Sequence, residues 1–199
     1  CLGGELYTVG ALEGLGLVGP HEDECNTLPD LGSLTICPWD PRQAWFSADL
    51  YYHGLPYVND PRGILKRVVA KAARMGFTFD LGIEPEFYVY RRDSVTGEYV
   101  ANTRTRFGGP NACYDYNQTD EALAFLEPMS RYLTELGWDL FSFDQECGRG
   151  QCEFGIGFTD AVRMSDRFIF LRTMAKKVAQ SIGAVASFMP KPFSDDFRS

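Results

Sequence analysis

Two short stretches of the sequence place pairs of glutamates among strand-forming residues. In the first, residues 82–90 (GIEPEFYVY), Glu84 and Glu86 stand two positions apart. Because side chains alternate along a β-strand, both carboxylates are expected on the same face of a sheet.

The second stretch, residues 143–154 (FDQECGRGQCEF), contains Glu146 and Glu153. If Arg149 and Gly150 form a two-residue hairpin loop, counting back along both strands places Glu146 directly opposite Glu153. Like charges at opposed positions destabilise a hairpin, so this arrangement favours a bound cation.

Together the two stretches predict four converging carboxylates. A cluster with only oxygen ligands suits Mg²⁺ or Mn²⁺, because zinc and copper sites favour the sulfur and imidazole ligands that this cluster lacks. Such an ion most often partners a phosphate. The competing interpretation is that the glutamates are solvated positions on two half-exposed strands.

Composition excludes several other classes of protein. The chain of 199 residues has a net charge of -8 and scattered basic residues, so it has no continuous positive stripe for nucleic acid. No apolar run approaches the roughly 18 residues of a membrane span, and no signal peptide precedes the first element. These features predict a soluble cytoplasmic protein that binds neither nucleic acid nor membrane.

The cysteines favour the same compartment. The six cysteines contain no C-x-x-C motif, which predicts reduced thiols in a cytoplasmic protein. Cys147 and Cys152 could face each other across the hairpin, and we interpret them as small buried side chains rather than as a disulfide.

The organisation of the chain suggests parts of two domains. Both ends look cut, since the sequence opens on Cys1 and stops without a capping signal. Residues 33–38 and 44–52 are rich in β-branched and aromatic residues and predict an antiparallel pair. Residues 1–58 are therefore assigned to the end of a small β-rich domain, and residues 59–199 to the first part of a larger one.

Local signals predict the first elements of the larger domain. Asp60 as N-cap and Pro61 at the first helical position start a helix that Gly76 ends. A strand is expected over residues 78–91, and Pro85 within it implies an edge position or a bulge.

Helices and strands then alternate. Thr119 is the expected N-cap of a second helix, which Pro128 should kink or split. A long helix capped by residues 159–160 runs to about residue 181, and a final strand covers residues 184–189. The pattern predicts an α+β fold with an antiparallel sheet backed by helices.

Four segments together resemble the glutamine synthetase family. They are DPRGILKR (60–67), GIEPEF (82–87), QECGRGQCEF (145–154) and ASFMPKPF (186–193). The resemblance covers roughly residues 25–193, and it implies an N-terminal β-grasp domain followed by a catalytic domain built on a curved antiparallel sheet.

The resemblance also implies an activity. Members of this family join the side-chain carboxylate of glutamate to ammonia or an amine, using ATP, a γ-glutamyl phosphate intermediate and two or three Mg²⁺ or Mn²⁺ ions. It further implies a homo-oligomer of stacked rings with active sites at subunit contacts. The alternative is a catalytically inactive, glutamine-synthetase-like structural or regulatory assembly protein.

Residue roles follow from the same resemblance. Glu86, Glu146 and Glu153 match the family's ligands for one metal, and Glu84 matches a ligand for the second. Lys191 is a weak candidate for binding the nucleotide phosphates, and a solvated lysine in a rigid connector is an equal alternative. The remaining ligands and substrate-binding arginines should lie beyond residue 199, so these residues alone are expected to be inactive.

The sequence departs from the family pattern near its start. Residues 7–10 stand where the family places an aspartate that helps to activate ammonia, and they contain no acid. Glu13, Glu22 or Asp23 could substitute. The departure favours an amine-using branch, such as the γ-glutamylmethylamide or γ-glutamylpolyamine synthetases.

Overall fold

The computed structural model describes residues 5–6, 25–103, 114, 116–190 and 192. The chain divides into two compact units, one formed by Cys1–Leu81 with Asp160–Asp166 and the other by Gly82–Thr159 with Arg167–Ser199. The predicted domain boundary at residue 58 and the β-grasp assignment stay predictions. Among the described residues, no helix has both the length and the apolar character needed to cross a membrane.

The first unit contains a small antiparallel sheet and one helix. Four strands pair in the order β1, β2, β5, β6, and β3 pairs separately with β4. The elements are β1 (Glu5–Leu6), β2 (Cys25–Pro29), β3 (Thr35–Ile36), β4 (Ala44–Trp45), β5 (Ala48–Tyr52), β6 (Leu55–Pro56), α1 (Pro61–Arg74) and β7 (Asp80–Leu81).

The antiparallel pair predicted for residues 33–38 and 44–52 is confirmed only for β3 and β4. Residues 48–52 form β5, which pairs with β2 and β6 instead. The chain changes partner at Ser47, whose N–H donates to the Ser33 hydroxyl and whose carbonyl accepts from the Asp30 N–H. These bonds end β4 pairing and direct the next residues towards β2.

Helix α1 has the ends that the sequence predicts. The Asp60 side chain accepts hydrogen bonds from two backbone N–H groups of the first turn, and Pro61 follows it. At the other end, Gly76 adopts a φ of 84°. The Phe77 N–H then reaches the Ala72 carbonyl, which is the hydrogen-bond pattern of a Schellman C-cap.

Arg62 connects several segments of the first unit. Its guanidinium donates to Asp30 at 2.7 Å, to Asp49 at 2.6 Å and to Asp166 at 2.9 Å. Hydrogen bonding to Asp166, followed by that to the other two carboxylates, raises the pKa of Arg62. Lys66 adds a second cation, 2.6 Å from Asp49.

The second unit is an antiparallel sheet backed by two helices, as predicted. The sheet order is β10, β11, β8, β13, and β9 also pairs with β8. The elements are β8 (Glu86–Arg92), β9 (Tyr99–Ala101), α2 (Tyr116–Glu135), β10 (Leu140–Gln145), β11 (Gln151–Ile156) and β13 (Ala184–Ser187). Two further elements, β12 (Thr159–Asp160) and α3 (Ala161–Ser181), each have residues in both units, since Asp160–Asp166 belongs to the first.

Aromatic rings form the core between this sheet and its helices. The ring of Phe87 on β8 contacts Phe125 of α2, Phe154 of β11 and Phe188, with centroid separations of 5.8, 5.9 and 4.7 Å. Phe168 of α3 contacts Phe188 at 6.2 Å. Because side chains alternate along β8 and β11, the neighbours of Phe87 and Phe154 point to the opposite face.

Two predicted boundaries in this unit are wrong. The strand expected over 78–91 is interrupted at residues 82–85. Pro85 has no N–H to donate to a neighbouring strand, although its carbonyl accepts from the Phe154 N–H.

Helix α2 begins at Tyr116, so Thr119 does not cap it. Pro128 lies inside this helix without splitting it, since proline removes only one helical hydrogen bond and the apolar face remains buried on both sides.

Candidate metal centre

The registers of β8, β10 and β11 bring acidic side chains together on the face opposite the helices. Glu153 of β11 lies directly opposite Glu86 of β8 on one side and Asp144 of β10 on the other. The predicted opposition of Glu146 and Glu153 is therefore wrong.

The error comes from the length of the hairpin loop, which has four residues rather than two. The Glu146 N–H donates to the Gln151 carbonyl, and the Gln151 N–H donates to the Gly148 carbonyl, each at 3.0 Å. Gly150 completes the turn with a φ of 71°, a conformation that glycine adopts without steric cost.

The register differs from the predicted one by two residues, which preserves the faces of both strands. Glu146 therefore still shares a face with Glu153, as the diagonal neighbour next to Asp144. Asp144 is the acidic member of the cluster that the sequence reading missed. Counting back from a four-residue loop would have found it.

Glu84 and Glu86 share a face although Glu84 precedes β8. Both side chains are exposed, whereas Pro85 and Phe87 between and after them are buried. This alternation confirms the predicted common face through the interruption of the strand.

The electrostatics of Glu153 reflect both its burial and the neighbouring carboxylates. Burial raises the pKa of Glu153 first, and the negative charges of its neighbours raise it further, to about 7. In decreasing order, these neighbours are Glu146, Glu86, Glu84 and Asp144. Glu153 is half-buried, so the interpretation of four independent, solvated glutamates does not describe it.

Tyr114 is a further residue at this cluster. Its phenol donates a hydrogen bond to Glu146, which is the main cause of the raised pKa of Tyr114. Its backbone N–H donates to the Gln145 carbonyl at 3.0 Å. No local sequence pattern predicts this contact, because it depends on where the chain outside the sheet returns to β10.

The donor set fits a hard divalent cation in chemistry and charge. All the side chains in the cluster would bind a cation through oxygen. Burial and then neighbouring negative charges raise the pKa of Glu153, and a cation would offset those charges. Within the part of the chain that the structure describes, no three acidic, histidine or cysteine side chains are already closed around one position. Binding would therefore require rotation of the glutamate side chains, which otherwise repel one another.

Other predicted residues fall elsewhere. Lys191, Glu13, Glu22 and Asp23 lie outside the described residues. The expectation of reduced thiols is wrong for Cys147, which is disulfide-bonded. Cys25, Cys37 and Cys152 are not in disulfide bonds, and burial raises the pKa of Cys152 to about 12.

Comparison with known proteins agrees with this fold. Residues 58–199 match the family model described as the catalytic domain of glutamine synthetase. A solved structure titled "GmaS/ADP complex-Conformation 1" is 32% identical, with a TM-score of 0.80 over 89% of this chain and 40% of that chain. The structure titled "Apo GmaS without ligand" gives a TM-score of 0.81 at 30% identity, over 97% of this chain and 44% of that chain.

Curated relatives point the same way. The glutamate–methylamine ligase of Methyloversatilis universalis is 34% identical over 93% of this chain and 41% of the relative. The glutamine synthetase of Rhizobium meliloti is 33% identical over 87% of this chain and 39% of the relative. The chain thus spans about two fifths of the length of these relatives.

The antiparallel sheet backed by helices is the fold that the matched structures share. The chain belongs to the glutamine synthetase family.

Proposed function

We propose that the full-length protein is an ATP-dependent ligase that joins the side-chain carboxylate of glutamate to ammonia or a small amine. The observation that carries this proposal is that Glu84, Glu86 and Glu146 share one face of the sheet with Glu153. The pKa of Glu153 is raised first by burial and then by the charges of these neighbours and of Asp144. Family membership supports the reaction, since the curated relatives are named glutamine synthetase and glutamate–methylamine ligase.

In this proposal Glu86, Glu146 and Glu153 hold one divalent cation, and Glu84 contributes to a second. When bound, Mg²⁺ or Mn²⁺ would offset the negative charge of the ATP phosphates that a carboxylate must approach. The half-burial of Glu153 excludes part of the surrounding water, and this strengthens the interaction of the acidic cluster with any cation it holds.

The proposed reaction has two steps. The glutamate side-chain carboxylate takes the γ-phosphoryl group of ATP, so that an oxygen–phosphorus bond forms and ADP leaves. The amine nitrogen then attacks the acyl carbon, phosphate leaves, and the nitrogen loses a proton. Residues outside this chain would complete the substrate sites, so residues 1–199 alone are proposed to be inactive.

We further propose methylamine as the acceptor. The relative from Methyloversatilis universalis supports this, because it is named a glutamate–methylamine ligase and aligns with 93% of the chain. A homo-oligomer with active sites at subunit contacts is also proposed, and light scattering on the purified full-length protein tests it.

The acceptor is tested by phosphate release from ATP and glutamate with ammonia, methylamine or a polyamine present in turn. We expect the highest kcat/KM with methylamine. A higher value with ammonia would contradict the assignment of the acceptor and leave the ligase proposal intact.

The metal assignment is tested with Glu86→Ala and Glu153→Ala in the same assay. Both variants should lose amine-dependent phosphate release at every Mg²⁺ concentration at which the wild type is active. Glu127→Ala is the matched control, because Glu127 is exposed on α2 and outside the cluster. Activity that survives both cluster substitutions would contradict the metal assignment.

A further inference from the structure

Gln151 is a buried amide beside the candidate metal centre. Only 2% of its surface is exposed, although glutamine is usually an exposed residue. It lies on β11 two residues before Glu153, and it pairs with Tyr88 of β8. Its side chain therefore points to the same face as Glu153 and Glu86.

Both ends of the Gln151 carboxamide are hydrogen-bonded. Its Nε2 donates to Oε2 of Glu86 at 2.7 Å, and its Oε1 accepts from the backbone N–H of Gly148 at 2.9 Å. A carboxylate only accepts and a backbone N–H only donates, so these partners fix which way the amide points. The bond to Glu86 is charge-assisted, which makes it stronger than a neutral one.

The hairpin turn is built around this amide. A Cβ atom on residue 148 would lie 2.6 Å from Oε1 of Gln151 and 2.8 Å from the Tyr88 hydroxyl. Only glycine allows the turn to approach so closely. The backbone carbonyl of Gln151 also accepts from the Glu146 N–H, so this residue is bonded to two of the proposed ligands.

We infer that Gln151 is a positioning residue for the metal centre, acting through Glu86. It holds Oε2 of Glu86 and so orients the carboxylate that would bind the cation. It also fixes Glu86 relative to Glu146, because the same residue bonds the side chain of one and the backbone of the other. The inference rests on the proposed metal-dependent function.

The first test is a double-mutant cycle with direct measurement of metal binding. The Kd for Mn²⁺ is measured by electron paramagnetic resonance of the free ion, with full-length wild type, Gln151→Met, Glu86→Ala and the double variant. Methionine preserves length and removes both hydrogen bonds. We expect Gln151→Met to weaken Mn²⁺ binding about tenfold, as for other residues that orient metal ligands.

In the Glu86→Ala background, the same substitution should have no further effect, because the group through which Gln151 acts is absent. An equal loss in both backgrounds would overturn the inference, since it would indicate a general structural effect. Leu133→Ala in the core of α2 is the matched control, because it lowers stability on the other face of the sheet without contacting the cluster.

Gln151→Glu provides a second variant if methionine prevents folding. Glutamate keeps the length and the acceptor for the Gly148 N–H, but it replaces the donor facing Glu86 with a carboxylate oxygen. We expect weaker Mn²⁺ binding than in the wild type at about pH 8, where carboxylates are ionised. Tighter binding would overturn the inference, because residue 151 would then be a ligand rather than a support.

The two proposals fail in different ways. A wild-type protein that binds no Mn²⁺, or whose affinity is unchanged by both Glu86→Ala and Glu153→Ala, would refute the metal centre itself. If Glu86→Ala weakens Mn²⁺ binding and Gln151→Met does not, only the role of Gln151 is refuted.

Discussion

Replacing Glu153 with glutamine should raise the free energy of unfolding when no divalent cation is present. With a divalent cation bound, the variant should instead gain less stability than the wild type. The pKa of Glu153 is raised from its ordinary value of 4.5 to about 7 by burial and by neighbouring carboxylates. Between these two values the folded chain binds more protons than the unfolded chain. The free energy of unfolding without metal therefore falls as pH rises through this window.

The magnitude follows from the size of the shift. At about 1.4 kcal/mol per pKa unit, the shift corresponds to roughly 3 kcal/mol for an ion shielded from water. Glu153 is only half-buried and its neighbours are partly solvated, so screening reduces the expected effect to about 1–2 kcal/mol. Glu153→Gln should increase the free energy of unfolding by this amount at about pH 8 in EDTA.

Urea unfolding followed by circular dichroism measures the effect. In EDTA, the gain from Glu153→Gln should be present at about pH 8 and small at about pH 4, where the wild-type carboxyl is protonated. With excess Mg²⁺, the wild type should gain stability through binding to the folded state and the variant should gain much less. Glu127→Gln should change nothing at either pH.

A variant that is destabilised equally at both pH values would refute the reasoning, because the loss would then come from packing rather than from charge. A variant that is stabilised by Mg²⁺ as much as the wild type would refute the assignment of Glu153 as a ligand.

Three further predictions concern stability and are checked by urea unfolding. Arg62→Ala should lower the free energy of unfolding by about 3 kcal/mol or more, because it leaves three part-buried carboxylates without their shared partner. A decrease below about 1 kcal/mol would show that the ion pairs are solvated. Gly150→Ala should lower the free energy of unfolding by about 2 kcal/mol or more. Residue 150 has a left-handed backbone conformation, and the added Cβ would lie 2.5 Å from the Val89 carbonyl oxygen. An unchanged free energy of unfolding would contradict the turn geometry. Asp60→Ala should lower the free energy of unfolding by about 1 kcal/mol, because the helix loses its N-cap. Asp60→Asn is the control and should retain most of the stability, since asparagine also caps helices.

The parts of the fold that sequence predicted well depend on local chemistry. The ends of α1 were predictable because its cap residues and its terminal glycine act within one helical turn. The common face of Glu84 and Glu86 was predictable because strand alternation persists through Pro85. The antiparallel sheet followed from hairpins and short connections.

The register of the β10–β11 hairpin was not predictable from local rules. Gly148 and Gly150 both permit a turn, so the sequence allows a loop of two or of four residues. The choice is made by Gln151, whose side chain bonds the Gly148 N–H and reaches across to Glu86 on a strand 65 positions away. A tertiary contact thus selects between two local solutions, and Asp144 joined the cluster as a result.

The hydrogen bonds of Arg62 have a kinetic consequence. They join residues separated by 13, 32 and 104 positions in the chain. Closing the longest of these loops loses the most chain entropy, so the bond to Asp166 is expected to form late, after the nearer strands have paired. Substitution of Asp166 should then accelerate unfolding while leaving the refolding rate almost unchanged, because the longest of these bonds slows the spontaneous opening of the first unit.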